Sequence, residues 1–262
     1  MHFTKMHGLG NDYLYHYGEI EKPADVSIKL SERHFGIGSD GIILITPSDC
    51  ADFKMRIFNA DGSEAKMCGN GIRCVGKYVF DKGYTDKTHL TVETLSGIKT
   101  LDLKTVGGKA VYATVDMGKC KVNKSVTLEA LNREVTLLPV SMGNPHAVIF
   151  VKDAENAPLT TLGAALEHHE FFPDGVNVEF VQVIDSLTLR MRVWERGSGI
   201  TMACGTGSCA SVAAAVAMGY CRENELVTVK LDGGDLSVKM LPDKTVMMTG
   251  PAKTVCECEV DM

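Results

Sequence analysis

Apolar and polar residues alternate along three consecutive stretches, 88–94, 97–105 and 109–117, separated by turns at Gly97 and at Gly107-Gly108. Period-two alternation of this length predicts strands with one buried face, and the short turns between them predict antiparallel pairing. Before them, residues 2–17 read as two short strands around the polar glycine loop His7-Gly8-Leu9-Gly10-Asn11-Asp12, and two more strands follow at 41–46 and 52–59. The pattern resumes later, with strands at 134–140, 146–151, 176–184 and 187–195.

Helical spacing interrupts the strands at four places. Pro23 opens the first, an amphipathic helix carrying Val26, Ile28, Leu30 and Phe35 and ending at Gly36 and Gly38. The second, over 70–82, should bury Ile72, Val75, Val79 and Phe80 while Arg73 and Lys77 face out. A third begins at Pro158 and runs to 167. The fourth, over 206–218, carries Ala, Val, Ser and Met on every face, and no charged residue occurs between Arg196 and Arg222. A helix that is apolar all round is a buried one. Its uninterrupted apolar part is about a dozen residues, whereas a membrane span takes about 20, so this helix should be enclosed by the strands of its own half.

The two series are copies of one plan. Cys68-Gly69-Asn70-Gly71 and Cys204-Gly205-Thr206-Gly207 each precede a helix, and Gly83-Tyr84 follows the first cysteine at the distance at which Gly219-Tyr220 follows the second. Asn59 and Glu195 each lie nine residues before their cysteine, and Phe35 and Gly38 match Phe172 and Gly175. The run Thr91–Gly97 reads against Thr228–Gly234 with one residue inserted. A repeat of half the chain predicts duplication into two similar domains, 1–118 and 119–251.

Composition narrows the partners. The chain has 262 residues and a formal charge of −6, with no basic stretch dense enough to follow a phosphate backbone, so neither nucleic acid nor a membrane surface is an expected partner. The first residues lack the charged-then-apolar order of a signal peptide, which predicts a cytoplasmic protein. Nine cysteines form an odd set without the density of a disulfide scaffold, so most are expected to be free, buried thiols.

The candidate chemistry lies at the repeated motif. A thiol at a helix N-terminus sits among unpaired backbone N–H groups and the positive end of the helix dipole, which favour thiolate and also bind carboxylate. Either cysteine alone reads as a structural thiol at a tight turn, but two equivalent ones suggest a paired acid and base. Cys74 and Cys209 fall inside their helices and read as core. No metal is expected, because the chain has no Cys-x-x-Cys pair and Cys256-Glu257-Cys258 lies along a strand. Asn144 and His146 stand in a polar loop between apolar runs. They read either as a capped turn or, beside Cys204, as a group able to assist thiol proton transfer. Glu195-Arg196-Gly197 reads either as a surface ion pair or as a turn whose arginine holds a carboxylate.

Taken in order, these segments resemble the diaminopimelate epimerase family: Gly-Asn-Asp at 10–12, Arg-His-Phe-Gly-Ile-Gly at 33–38, Phe-Asn-Ala-Asp-Gly-Ser-Glu at 58–64, Cys-Gly-Asn-Gly at 68–71, Gly-Asn-Pro-His at 143–146, Asn177, Glu-Arg-Gly at 195–197 and Ala-Cys-Gly-Thr-Gly at 203–207. The resemblance implies an α+β fold of two pseudo-symmetric domains, each a mostly antiparallel, barrel-like sheet wrapped around a central helix, with the last strand, 252–262, returning to the first domain. It implies a cofactor-independent epimerase of diaminopimelate with its active site in the cleft between the domains. Cys68 and Cys204 would be the acid and base, assisted by His146 and Glu195. Backbone groups of Gly69, Asn70, Gly205 and Thr206 would hold the reacting carboxylate, and Asn11, Asn59, Asn144, Asn177, Glu195 and Arg196 the rest of the substrate. A homodimer is left open. Ile200 and Gly41 depart from the family pattern, standing where many members carry Glu and some carry Gln. Proline racemases, which share the two-domain plan, usually have His where Asn70 stands. The remaining alternatives are a racemase of another amino acid, such as histidine, and a non-enzymatic thiol or metal-binding protein.

Overall fold

A computed structural model describes residues 1–261 and divides the chain into two units, Met1–Val115 with the segment from Gly250 onward, and Asp116–Thr249. The first unit comprises β1 (His2–Gly8), β2 (Asn11–Tyr17), α1 (Pro23–Ser31), β3 (Gly41–Thr46), β4 (Phe53–Asn59), β5 (Glu64–Ala65), α2 (Gly69–Asp81), β6 (His89–Thr94), β7 (Gly97–Val106) and most of β8 (Lys109–Lys119). The second comprises β9 (Lys121–Val122), β10 (Val126–Ala130), β11 (Arg133–Ser141), β12 (Pro145–Phe150), a π-helical turn (Leu159–Gly163) continuing into α3 (Ala164–Glu167), β13 (Asn177–Asp185), β14 (Thr188–Glu195), β15 (Gly199–Ile200), α4 (Gly205–Ala217), β16 (Val227–Leu231), β17 (Gly234–Met240) and most of β18 (Thr245–Pro251). The final strand, β19 (Lys253–Glu259), pairs antiparallel with β1, setting His2 opposite Glu259.

The pairing pattern is duplicated. In the first unit β1–β2, β3–β4, β4–β5, β6–β7 and β7–β8 are antiparallel while β2–β3 and β4–β6 are parallel. In the second, β11–β12, β13–β14, β14–β15, β16–β17 and β17–β18 are antiparallel while β12–β13 and β14–β16 are parallel. Parallel neighbours need a crossover, and α1 and α3 provide it between β2 and β3 and between β12 and β13. The remaining helices, α2 and α4, are enclosed by the strands of their own units. On α4, Cys209, Ala210, Val212, Ala213, Ala214 and Ala215 are all at 0% exposure, as its uncharged sequence requires. Its two buried serines bond back along the helix, Ser208 Oγ to Cys204 O at 2.9 Å and Ser211 Oγ to Gly207 O at 2.7 Å, so no hydroxyl is left unsatisfied.

Three local expectations are corrected. Arg73 does not face out: it is fully buried, with Nη1 donating to Gly69 O and Asn70 Oδ1 and Nε donating to Pro251 O. Burial of a guanidinium is tolerated where carbonyl oxygens surround it, and here it ties the first turn of α2 to the last strands. Lys77 is drawn in likewise, bonding Asp81 and Ala110 O. Phe35 is 96% exposed and outside any helix, because α1 stops at Ser31 and the Glu32 carboxylate turns the chain by capping the N–H groups of His34 and Phe35. The helix opened by Pro158 begins as a π-turn rather than an α-turn.

Candidate active site

Both cysteines occupy the same backbone position. Cys68 is the N-cap of α2 and Cys204 the N-cap of α4, each in the extended region, at φ −136°, ψ 113° and φ −114°, ψ 112°. In each, Sγ accepts the backbone N–H three residues on, from Gly71 and from Gly207, both at 3.3 Å. A thiol thus does what a serine or aspartate does at an ordinary helix start. The following N–H groups, from Gly69 and Asn70 and from Gly205 and Thr206, belong to the first turns, where helix backbone donors lack intrahelical partners.

Around Cys68 the neighbouring side chains are mostly amides. The thiol donates to Asn11 Oδ1 at 3.2 Å, and Asn11 Nδ2 donates to Asp40 Oδ2 at 2.8 Å. Asp40 also takes the Asp12 N–H, and burial raises its carboxyl above its ordinary value. Asn59, the last residue of β4, is held by Tyr13 OH at 3.5 Å and by Ser63 Oγ at 3.1 Å. Asn70 is buried with its Oδ1 on Arg73. Gly41 is fixed by packing, since a Cβ there would lie 2.1 Å from Phe58 O. No longer side chain fits that place in this backbone.

Around Cys204 the neighbours are charged. Glu195, the last residue of β14, takes hydrogen bonds from Thr201 Oγ1 and from the Cys204 thiol. Burial raises the Glu195 carboxyl above its ordinary value. The thiol itself is pushed well above the usual cysteine range, first by burial and then by the charges of Glu195 and Glu179. The helix N-terminus alone would favour thiolate; here enclosure and two acidic neighbours outweigh it, and Cys204 rests as a thiol.

His146 is fully buried, with Nδ1 at 2.7 Å from Glu179 Oε1 and Nε2 at 3.2 Å from Asn144 Oδ1. Asn144 Nδ2 reaches Thr206 Oγ1 at 3.3 Å, and that hydroxyl lies 3.6 Å from Cys204 Sγ. Asn177 accepts the Arg196 N–H at 2.9 Å and donates to Pro145 O at 3.3 Å, so it joins two loops of this half. The Arg196 side chain is exposed and bonds Asp174 O. Ile200 is half exposed in β15, opposite Trp194.

Two glutamates escaped the sequence reading. Glu167 takes Trp194 Nε1–H at 2.6 Å and Gly197 N–H at 2.7 Å, which fixes the turn carrying Glu195 and Arg196. Glu179 is at 0% exposure in β13, between Val178 and Phe180. A lone acid between buried valines and a phenylalanine was its available signal, because charged residues are almost never fully buried without a partner. Among the described residues no cluster of three or more His, Cys, Asp or Glu side chains could hold a metal, and no helix is long and apolar enough to cross a membrane.

Residues 3–122 and 138–255 match the model of the family described as diaminopimelate epimerase. A diaminopimelate epimerase of Acetivibrio thermocellus is 52% identical, covering 100% of this chain and 99% of that protein. The Bacillus subtilis diaminopimelate epimerase is 48% identical over 97% of this chain and 96% of its own length. Among solved structures, a Bacillus anthracis phenazine biosynthesis protein of the PhzF family superposes with a TM-score of 0.76 at 16% identity, covering 100% of this chain and 99% of that one, which supports the fold.

Proposed function

The chain belongs to the diaminopimelate epimerase family, and from that membership we infer that it is a PLP-independent isomerase interconverting LL- and meso-2,6-diaminopimelate, a step of lysine biosynthesis. We propose that Cys68 and Cys204 are its two acid/base groups, acting on one α-carbon from opposite faces. The observation that carries this is the duplicated thiol cap, two cysteines with the same dihedral region and the same 3.3 Å bond to a helix N–H. Epimerisation needs one base and one acid at a time. Cys204, held protonated by burial and by Glu195 and Glu179, acts first as the acid, and Cys68 acts as the base once it has given up the proton it donates to Asn11 Oδ1. After one turnover the roles are exchanged.

The α-proton of an amino acid is weakly acidic, so the negative charge gathering on the α-carboxylate must be stabilised. The N–H groups of Gly69, Asn70, Gly205 and Thr206 lie at helix N-termini and suit that charge. Glu195 orients the Cys204 thiol and His146 supports the same half through Asn144 and Thr206. Asn11, Asn59, Asn144, Asn177 and Arg196 offer more polar contacts than one amino-acid end can use, which suits a substrate with two. The same reading places the enzyme in the cytoplasm, without nucleic-acid or membrane partners, and leaves assembly as a homodimer for gel filtration to decide.

Chiral separation of products from LL-diaminopimelate tests the reading. The wild-type chain should yield the meso isomer, while Cys68→Ala and Cys204→Ala should each lose about 10²–10⁴-fold in kcat, the usual contribution of a positioned acid or base. Lysine, which lacks the distal carboxylate, should be a very poor substrate. Near-normal epimerisation by either alanine variant, or kcat/KM for lysine or histidine comparable to that for diaminopimelate, would overturn it.

A further inference from the structure

The duplication allows Glu179 to be compared with its own counterpart. In the first unit the parallel register sets Leu14 beside Ile42, and the antiparallel register sets Gly41 beside Asn59. In the second it sets His146 beside Asn177 and Val178 beside Trp194. Tyr13 therefore corresponds to His146, Gly41 to Asn177, Asn59 to Glu195, and Ile43 to Glu179. Packing against the helices gives the same match. A Cβ on Gly71 would lie 2.7 Å from Ile43 Cδ1, and a Cβ on Gly207 would lie 2.7 Å from Glu179 Oε1.

The position beneath the thiol-bearing helix turn is thus filled by an isoleucine in one copy and by a glutamate in the other. The fold itself does not require a carboxylate there. Both residues are at 0% exposure, so Glu179 incurs a desolvation cost that Ile43 does not. The cost is only partly offset, because Oε1 meets His146 Nδ1 whereas Oε2 has no hydrogen-bond partner among the described residues. His146, the one partner, also differs between the copies, since Tyr13 takes its place in the first.

We infer that Glu179 is a positioning residue of the Cys204 half-site: its carboxylate accepts the hydrogen bond of His146 Nδ1–H and thereby keeps a proton on that nitrogen and holds the ring with its Nε2 edge toward the Asn144 side-chain oxygen. A carboxylate can only accept, so Nδ1 carries a proton at the 2.7 Å contact, and because Asn144 Oδ1 is also an acceptor, the ring that satisfies both contacts carries a proton on Nε2 as well. The nitrogen bearing the proton in a functional histidine is set by what the other ring nitrogen, or its partner, offers. With Nδ1 committed, the ring's orientation is transmitted through the Asn144 amide to Thr206 Oγ1, 3.6 Å from Cys204 Sγ. The Glu179 charge also contributes to keeping that thiol protonated.

This inference rests on the two-thiol reading for its kinetic consequence and on geometry alone for its structural one, and the test separates them. Glu179→Ile copies the first unit, and Glu179→Gln keeps an acceptor without the charge. The expected result for Glu179→Ile is a melting temperature equal to or above wild type, kcat lowered roughly 10- to 100-fold with KM within about threefold, as when the outer partner of a functional histidine is removed. Nitrogen-15 NMR of the histidine rings should show a His146 Nδ1–H signal in wild type and in Glu179→Gln, and its loss in Glu179→Ile. Glu179→Gln should recover part of kcat. If Glu179→Ile keeps kcat within threefold or retains the Nδ1–H signal, the inference is overturned. It is equally overturned if kcat falls only in step with loss of cooperative unfolding. Should the wild-type chain fail to epimerise diaminopimelate, the mechanism would be wrong, and the NMR signal would decide the role of Glu179 by itself.

Discussion

The two half-sites share a backbone and differ in chemistry. Each hangs a thiol on the N-terminus of a 13-residue helix, above strands paired in the same register. Cys68 is met by Asn11, with Asn59 and Tyr13 nearby, while Cys204 is met by Glu195, with His146 and Glu179 behind. Duplication delivers two equivalent thiols, and an epimerase needs them unlike at any instant, one protonated and one not. The first copy meets its thiol with the Asn11 amide, whereas the second sets the carboxylates of Glu195 and Glu179 against its thiol. The lesson is that symmetry supplied the pair of thiols, and substitution at matched positions supplied the difference in their surroundings.

The comparison can be blunted at its strongest point by Glu195→Gln, which gives the second half the neutral amide that Asn59 provides in the first. Steady-state assays should show kcat falling about 10²-fold, at the lower end of what a positioned proton-transfer partner contributes. The sign on the thiol is equally definite. Glu195 raises Cys204 through its negative charge, so its removal should lower the thiol's pKa and move alkylation of Cys204 by iodoacetamide to lower pH. An unchanged pH dependence of alkylation would show that burial alone sets the thiol.

A smaller effect concerns the helix interiors. Cys74, six residues after Cys68, corresponds to Ala210, and both are fully buried. Burial pushes the Cys74 thiol up to about 11 from about 9. The folded state therefore keeps this proton where the unfolded state gives it up. The associated stability is intact below about pH 9 and is lost as pH rises toward 11, by on the order of 2–3 kcal/mol. Urea unfolding at pH 8 and pH 10.5 should show this decline in wild type and a shallower one in Cys74→Ala, the residue that the other copy carries. Equal declines in both would assign the alkaline loss to other groups.

Much of this was legible in the sequence because it repeats. Alternation located the strands, the uncharged stretch from 197 to 221 marked α4 as enclosed, and the spacing of Cys68 and Cys204 to Asn59 and Glu195 marked matched positions at strand ends. Arg73 was misread because helical periodicity assigns a charged residue to the outside. In α2 that face meets strands, and the carbonyl oxygens of Pro251 and of the helix's own Gly69 take the guanidinium. Phe35 was misread because an apolar residue at helical spacing does not reveal that Glu32 has already capped the turn. Glu167 and Glu179 were missed for a third reason. Their roles depend on partners in other elements, Trp194 and His146, which no local pattern joins to them.

The most direct measurement of the two-thiol account is the fate of the substrate α-hydrogen. LL-diaminopimelate is incubated with the enzyme in D2O, and early product and residual substrate are separated and examined by mass spectrometry and proton NMR. If one thiolate removes the proton and the other thiol, already exchanged with solvent, delivers another, the meso product carries deuterium at the inverted carbon from the first turnovers, while residual substrate is at first still protiated. A single base that returns its own proton to the opposite face would leave protium in early product, and that result would contradict the account.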